Sequence, residues 1–456
     1  MTELPRALVV STIADEQETP MRMGSASYSY YYVYQAFAPL LRRYGTVVET
    51  VRPEERLDEL VRAGTGEGAR PTHLGFLPLD AFHRTSLAPN VAFPFWDFPD
   101  LPSSPLGGKV HNNWAAIANE LDLILTSSEF TRDTFVRAGV RTPIAVVPVP
   151  VRQSYLDAPP FDANQRTTID CRAHMLMPVR SGVRGASRAT DLYHRYLRPR
   201  LSRRATDTVS VAAHAFSALR GELRELRTID CESSTSFELS GIVHTTVLNP
   251  FDQRKNWQDL LTAYLFALAD CDDATLVMKL ALPPDRVSAG VNKVLGFYRR
   301  LGLAHRCRVV LISDYLSDAQ MLELVRGTTW YLNSSRAEGA CLPLQDFLAA
   351  GRPAVAPRHT AIADYFGEGA GFVVESHPEP AAWPQDPEGR CTTTWHRLVW
   401  TSLRDAIRES YEIAKSRPQQ YESLAMNARA TMSARAGSEV VWPRLKSALD
   451  SVGHAL

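Results

Sequence analysis

The sequence predicts an α/β protein with two Rossmann-like domains, mostly parallel sheets and an arginine-rich insertion between the domains. Three observations predict this class. Short apolar segments alternate with amphipathic segments along 6–148, the alternation resumes along 241–332, and the stretch between them breaks the rhythm. Alternating strands and helices favour a parallel sheet covered by helices on both faces. A chain of 456 residues is long enough for two large domains or for about three of ~150 residues.

The predicted first domain covers residues 1–151. Its strands are predicted at 6–14, 47–51, 73–77, 91–96, 121–126 and 144–148. Helices are predicted from about residue 29 to 44 and from about 128 to 138. Ser127 or Ser128 can cap the second helix, because a serine side chain accepts a hydrogen bond from a free amide of the first turn. Gly24 lies in the first strand–helix loop, where a glycine either allows a close backbone approach to a ligand or serves a plain turn.

Residues 152–236 form the predicted insertion. Ten arginines and two acidic residues lie between Arg166 and Arg204, which gives a local charge near +8. Such a segment can bind an anionic acceptor, a polyphosphate or a lipid surface. It can equally be a solvated segment without a ligand.

The predicted second domain covers residues 237–430, and a C-terminal helix occupies 431–456. Strands of this domain are predicted at 241–248, 275–282, 308–312, 329–332 and 354–356. Helices of the C-terminal half of the chain are predicted at 257–269, 291–301, 318–326, 401–415, 421–434 and 440–452.

One loop of this domain combines acidic residues with a helix start. Glu338 precedes Pro343, and Asp346 follows Glu338 by eight positions. Pro343 suits a first helical turn because its missing N–H is not needed there, and Gly351 suits the left-handed residue that ends a helix. Amides at a helix N-terminus bind phosphate, and a nearby carboxylate can accept sugar hydroxyls. The alternative is an ordinary helix–strand unit with surface acids.

A basic turn lies between a predicted strand and the helix at 257–269. Arg254 and Lys255 could neutralise a diphosphate, the arginine through its planar fork and the lysine as a point charge. The alternative is a solvated basic turn.

These segments resemble the donor site of retaining GT-B glycosyltransferases, specifically the large glycosyltransferase family 4. The family pattern is E-G-x-G-L-P-x-x-E followed by A-x-G-x-P-V. The chain matches it at Glu338, Gly339, Leu342, Pro343, Gly351 and Pro353. It departs at Asp346, where the family has Glu, and at the second loop glycine, because Ala340 and Cys341 precede Leu342.

The resemblance implies a GT-B architecture, in which two sheets face each other across a cleft and the C-terminal helix packs back on the first domain. It implies that Glu338 contacts the transferred sugar, that Asp346 holds the ribose, and that Lys255 and Arg254 bind the diphosphate. The residues implied to bind the donor are Gly24, Arg254, Lys255, Glu338, Gly339, Ala340, Cys341, Leu342 and Asp346. The implied catalytic set is Glu338, Lys255, Arg254 and Asp97.

Asp97 is a candidate because the family places a histidine or an acidic residue at about this point of the first domain. His111 is the competing candidate, and a turn or capping aspartate is the alternative. Aromatic residues are dense along 28–34 and 93–98. They could stack on an acceptor, although packing of a helix on the sheet explains most of them.

The composition limits the other classes of function. A formal net charge of zero gives no argument for a nucleic-acid partner. The six cysteines include no C-x-x-C pair, so neither a zinc ribbon nor a disulfide framework is indicated. The D-x-D at 270–272 falls where solvated acids are expected, and we predict no metal site. Hydrolase and P-loop motifs are missing, so those classes have no support.

The predicted function is transfer of a sugar from a nucleotide-sugar donor, a substrate rather than a cofactor, to an acceptor hydroxyl. No cofactor is expected. The acceptor is predicted to be a carbohydrate, a lipid-linked intermediate or a small natural product. The alternatives are a nucleotide-sugar epimerase and a non-catalytic protein that binds sugar nucleotides. We expect a cytoplasmic protein, because no secretion signal or long apolar run is present, with any membrane contact peripheral and through the arginine-rich insertion.

Overall fold

The computed structural model describes residues 6–52, 56–64, 70–103, 112–162, 164–176, 231–383, 386 and 391–453. The first domain contains the strands β1 (Arg6–Thr12), β2 (Thr46–Val51), β3 (Arg70–Phe76), β4 (Asn90–Ala92), β5 (Leu123–Thr126) and β6 (Ile144–Val146). These strands form one parallel sheet in the order β2-β1-β3-β4-β5-β6. The described helices of this part of the chain are α1 (Ala26–Tyr44), α2 (Leu57–Gly64), α3 (Trp114–Ala118), α4 (Glu129–Arg137) and α5 (Gln153–Leu156).

Local sequence explains the strands and helices that border the carboxyl edge of the first sheet. Residues 7–12 of β1 are all buried, as expected for a strand covered on both faces. Ser25 caps α1 by accepting a hydrogen bond from the Tyr28 amide, and Ser128 caps α4 in the same way from Thr131. The strand predicted at 91–96 ends at Ala92, since Pro94 has no amide hydrogen for a ladder.

The second domain is built on an eight-stranded sheet with two additional hairpins. Its strands are β7 (Thr167–Ile169), β8 (Ala173–Leu176), β9 (Cys231–Ser234), β10 (Phe237–Leu239), β11 (Ile242–Leu248), β12 (Ala274–Leu280), β13 (Arg308–Ile312), β14 (Trp330–Leu332), β15 (Ala354–Pro357), β16 (Gly371–Val374), β17 (Ser376–Ala382) and β18 (Thr392–Leu398). The sheet order is β16-β15-β14-β11-β12-β13-β8-β9. Strands β8 and β9 are antiparallel additions to a parallel sheet, while β7–β10 and β17–β18 pair separately as antiparallel ribbons.

The later helices cover this sheet and then return to the first domain. They are α6 (Trp257–Ala267), α7 (Val287–Leu301), α8 (Asp318–Arg326), α9 (Leu342–Ala349), α10 (Trp400–Ser416), α11 (Pro418–Ala436) and α12 (Ser438–Gly453). Val441, Leu445 and Leu449 of α12 are buried in one core with Leu8 and Phe37 of the first domain. The C-terminal helix therefore lies against the first domain. The two parallel-sheet domains confirm the predicted fold class.

The segment 152–236, predicted as an insertion, contributes β8 and β9 to the edge of the second sheet. Most of its arginine-rich run falls in 177–230, outside the described residues, and so does the predicted contact of this run with anionic partners. Across the described ranges, no helix is both long enough and apolar enough to cross a membrane.

Candidate active site

The two sheets meet at the carboxyl ends of their parallel strands, and we call this contact region the interdomain seam. Three described contacts define it: Gly24 against Ala281, Asp97 with Gly339, and Tyr32 with Tyr315. Ligands of parallel α/β sheets bind at this end of the strands. The seam is therefore the expected location of a ligand-binding site.

The loop between β14 and α9 carries Glu338 into the seam. Pro343 lies in the first turn of α9, and Gly351, with φ of +69°, follows the helix end, as the sequence predicted. The strand β15 follows at once and is wholly buried. The loop is thus held between a central strand and the start of a buried helix, which limits its movement.

Glu338 is a buried, charged residue with a full set of partners. Its side chain is only 3% exposed. Oε1 accepts hydrogen bonds from Lys255 Nζ at 2.6 Å and from Ser335 Oγ at 2.5 Å, and its amide donates to Thr360 Oγ1 at 3.0 Å. Burial alone would raise the pKa of Glu338, but Lys255 and Arg254 outweigh burial and lower the pKa to about 2. The carboxylate is therefore ionised at neutral pH.

Arg254 joins the two domains through several acceptors. Its Nη1 lies 2.9 Å from Asp97 Oδ1 in the first domain and 2.8 Å from the Ala337 carbonyl. Its Nη2 donates to Asp252 Oδ2 at 2.8 Å, and Glu338 Oε2 lies 3.7 Å from Nη1. Three carboxylates thus surround two cations, and any anionic ligand of these cations has to compete with them.

Asp97 reaches the site from the loop after β4. Oδ1 also accepts a hydrogen bond from the Gly339 amide at 2.7 Å, across the seam. Burial raises the pKa of Asp97, although Arg254 opposes this rise. The competing candidate, His111, lies outside the described residues.

The structure explains one departure from the family pattern. Cys341 stands where the pattern has its second glycine, and it adopts the left-handed φ of +55° that glycine favours. Asn333 Nδ2 lies 3.1 Å from Cys341 Sγ, which holds the side chain in place. Burial raises the pKa of Cys341 to about 12, so the thiol is neutral. The loop keeps the backbone shape of the pattern without the glycine.

Neighbouring loop positions have structural contacts of their own. The Ala340 carbonyl accepts hydrogen bonds from Gln345 Nε2 at 2.9 Å and from Tyr365 Oη at 2.8 Å. Leu342 is partly buried against the core of the first domain. These contacts fix the loop, and any contact of either residue with a donor stays a prediction.

Asp346 lies one helical turn into α9, and it is half-buried. Burial raises its pKa to about 7, while the nearby Arg152 opposes the rise and Asp318 adds to it. Arg152 itself pairs with Asp318 at 2.7 Å. The predicted contact of Asp346 with a ribose stays a prediction.

Gly24 lies in the seam at a point where a side chain does not fit. It has φ of +82°, and a Cβ atom there would be 2.3 Å from the Ala281 carbonyl oxygen. Its own carbonyl accepts a hydrogen bond from Asn249 Nδ2 at 3.1 Å. The glycine therefore permits close contact between the first-domain loop and the second sheet.

Sequence reasoning missed several residues that this site uses. Asp252 braces Arg254, while Ser335 and Thr360 position Glu338, and none belongs to the family pattern. Short polar residues in loops carry little signal by themselves.

Metal ligands were not predicted, and the D-x-D acids Asp270 and Asp272 are exposed. Within the described ranges, no three His, Cys, Asp or Glu side chains are grouped in a way that would hold a metal ion. Metal independence stays a prediction.

Comparison with solved structures identifies the architecture. A sucrose-phosphate synthase from Thermosynechococcus elongatus matches with a TM-score of 0.56 and 12% identity, over 99% of this chain and all of that chain. A trehalose 6-phosphate synthase from Burkholderia multivorans matches with a TM-score of 0.54 and 12% identity, with the same coverage. HepE from Anabaena, solved in complex with UDP, matches with a TM-score of 0.53 and 14% identity, over 98% of this chain and all of that chain.

The protein has the GT-B fold, since these full-length neighbours share it. Identities this low show the fold alone. No family model matches the chain, and no curated protein sequence matches it.

Proposed function

We propose that the protein is a glycosyltransferase that moves a sugar from a nucleotide-sugar donor to an acceptor hydroxyl. The observation that carries this proposal is the cluster of the buried Glu338 with the partly exposed Lys255, Arg254 and Asp97 in the seam of a GT-B fold. The neighbour HepE has been solved with UDP and with UDP-glucose, which supports a nucleotide-sugar as the ligand class. Retention of anomeric configuration is part of the proposal and follows the family resemblance.

Lys255 and Arg254 are proposed to stabilise the leaving diphosphate. When the bond between the anomeric carbon and the diphosphate oxygen breaks, negative charge grows on that oxygen. Cations that are already fixed in a low-dielectric site stabilise such charge without reorganising. Burial lowers the pKa of Lys255, but Glu338 outweighs burial and the pKa is raised overall. The lysine therefore remains charged throughout the physiological range.

Glu338 is proposed to orient the sugar and to stabilise positive charge on it. With a pKa of about 2, the carboxylate is neither a proton donor nor a strong base near pH 7. Its oxygens can accept hydrogen bonds from sugar hydroxyls, and its charge favours the cationic anomeric centre of the transition state. Ser335 and Lys255 hold it in one orientation.

We propose that the bound substrate replaces Asp97 as the partner of Arg254 and of the Gly339 amide. Asp97 is the most exposed of the three carboxylates, with 27% of its side chain accessible. A nucleotide-sugar that accepts hydrogen bonds from Arg254 and from the Gly339 amide replaces Asp97 as their partner. Asp97 is then free to contact the sugar. The acceptor oxygen then bonds to the anomeric carbon, and its proton passes to an oxygen of the leaving diphosphate. Asp346 is the proposed ribose contact.

The test measures release of nucleoside diphosphate from UDP-, GDP-, dTDP- and ADP-sugars, with candidate carbohydrate and lipid-linked acceptors present and absent. Glu338→Gln keeps the size of the side chain and removes its charge. We expect one donor to be consumed and the variant to lose about 100- to 1,000-fold in rate. The matched control is Glu323→Gln, a half-exposed glutamate paired with Arg326, which should retain full activity.

The same assay separates the alternatives. An epimerase would change the donor sugar, as seen by NMR, without any acceptor. Donor binding without turnover under every acceptor condition would favour a binding protein. Equal rates for wild type and Glu338→Gln would contradict the proposed role of Glu338.

A further inference from the structure

Lys279 is a buried cation that the proposed mechanism does not use. It lies near the carboxyl end of β12, a strand whose seven residues are all buried, and it is 3% exposed. Its Nζ donates to the Leu280 carbonyl at 3.0 Å and lies 3.4 Å from the Met23 sulfur. A carbonyl and a thioether are neutral acceptors, and the thioether is a weak one.

One acidic side chain acts on Lys279 without forming a salt bridge with it. This residue is Asp314, after β13, whose Oδ2 accepts the Arg172 amide hydrogen at 2.6 Å. Cys171 is the other facing group, and burial raises its pKa to about 12, so it is neutral at pH 7. Within the described residues, Lys279 forms no salt bridge. A buried ammonium without a paired anion is unfavourable for folding.

The position of Lys279 links it to the candidate site. β12 is the parallel neighbour of β11, and Val247 of β11 pairs with Lys279. The turn with Arg254 and Lys255 follows β11. Met23 and Gly24 of the first domain close over this same sheet edge. The ammonium therefore lies at the seam, on the opposite side of β11 from the strand β14 that leads to Glu338.

We propose that Lys279 is a third phosphate-binding cation, whose ammonium binds a phosphate group of the nucleotide when a donor enters the seam. The inference rests on the proposed glycosyltransferase function. A phosphate oxygen would replace the weak Met23 contact and would supply the anion that the buried ammonium lacks. A purely structural lysine at this position would instead be expected to pair with a carboxylate.

The ionisation of Lys279 gives the proposal a pH signature. Burial lowers its pKa to about 8, and the carboxylate of Asp314 opposes this decrease only in part. The ammonium is mostly charged at pH 7.5 and mostly neutral at pH 9. Nucleotide affinity should therefore fall by about fivefold to tenfold over that interval, since the neutral amine loses its attraction for phosphate.

The experiment titrates UDP, GDP, dTDP and ADP calorimetrically into wild type and Lys279→Met at pH 7.5 and pH 9. The methionine keeps the length of the chain and removes the charge. We expect the variant to bind the preferred nucleotide about tenfold more weakly at pH 7.5 and to show no comparable pH dependence. The control is Lys446→Met, which removes a surface lysine paired with Asp450 on α12.

Melting curves separate binding from folding. Removal of an unpaired buried charge should leave the ligand-free Tm of Lys279→Met unchanged or higher, while the Tm increase caused by nucleotide should shrink. A lower ligand-free Tm, or nucleotide affinity equal to wild type at both pH values, would overturn the inference. If Lys279→Met changed only the KM of an anionic acceptor, Lys279 would bind the acceptor, and its assignment to the nucleotide would be wrong. Failure of the wild type to bind any nucleotide would instead identify failure of the proposed function itself.

Discussion

At the scale of single residues, the site depends on keeping a buried glutamate ionised. Glu338 loses hydration by burial, and Lys255 and Arg254 more than compensate for that loss. A carboxylate whose pKa is lower in the folded state than in the unfolded state stabilises the fold above its unfolded pKa. That stabilisation is lost as the pH falls from about 4.5 towards 2.

Glu338→Gln should therefore change how stability depends on pH. A shift from 4.5 to about 2 corresponds to roughly 3 kcal/mol of stabilisation near neutral pH. We expect the stability difference between wild type and variant to shrink by roughly 1 kcal/mol between pH 6 and pH 3.5. Urea unfolding of both proteins at both pH values measures this difference in the free energy of unfolding. Glu323→Gln should stay within about 0.5 kcal/mol of wild type, and a constant difference for Glu338→Gln would rule out the linkage.

The family pattern in the sequence predicted Glu338, Arg254 and Lys255 as one site, and the structure places them in contact. Glu338 and Lys255 are 83 positions apart, so their ion pair could be expected only through the resemblance. The bond between Asp97 and the Gly339 amide could not be predicted, because it depends on how two domains meet. The left-handed backbone conformation of Cys341 also could not be predicted, because a β-carbon disfavours that conformation and only local packing maintains it.

At the scale of elements, the sequence was most informative where apolar periodicity was unbroken. The strands β1, β11, β12 and β13 were predicted to within two residues at every end. The ribbon of β17 and β18 was not predicted. β17 contains Pro378 and Pro380, which are typical of loops, and an isolated two-stranded ribbon tolerates proline because part of each strand needs no ladder bond.

The turn between β1 and α1 gives a prediction at this scale. Gly24→Ala places a Cβ atom against the Ala281 carbonyl of the opposite domain, at a φ that alanine disfavours. We expect at least tenfold weaker nucleotide binding, because the first-domain loop can no longer approach β12. Gly139→Ala is the control, since Gly139 has φ of +84° and a Cβ atom there would meet no other atom within 4 Å. Both variants lose about 1–2 kcal/mol from backbone strain, and equal nucleotide affinity in both would contradict the role of the seam.

At the scale of the whole molecule, the described part of the chain crosses between the domains twice. It leaves the first domain after β6, and it returns when α12 packs beside α1. Two crossings are compatible with movement of the domains relative to each other, and the direct contacts across the seam hold the arrangement seen here. In the proposed mechanism, closure over a donor excludes water and so limits its hydrolysis.

The hydroxyl contact between Tyr32 and Tyr315 is the seam interaction best suited to a test of closure. Tyr32 belongs to α1 of the first domain, Tyr315 follows β13 of the second, and their hydroxyl oxygens are 2.7 Å apart. Tyr32→Phe removes one oxygen and leaves the ring, so it should weaken the closed form by about 1 kcal/mol. If nucleotide binds the closed form, its Kd should then rise by up to about fivefold, by a factor equal to the loss of closed-form population. Small-angle X-ray scattering should show a larger radius of gyration for the ligand-free variant and convergence with wild type when nucleotide is saturating.

The control is Tyr31→Phe on the same helix, because the Tyr31 hydroxyl has no hydrogen-bond partner among the described residues. If Tyr32→Phe and Tyr31→Phe match wild type in both measurements, the closed arrangement does not depend on this hydrogen bond, and closure would have to rest on Asp97 and the packing of Gly24.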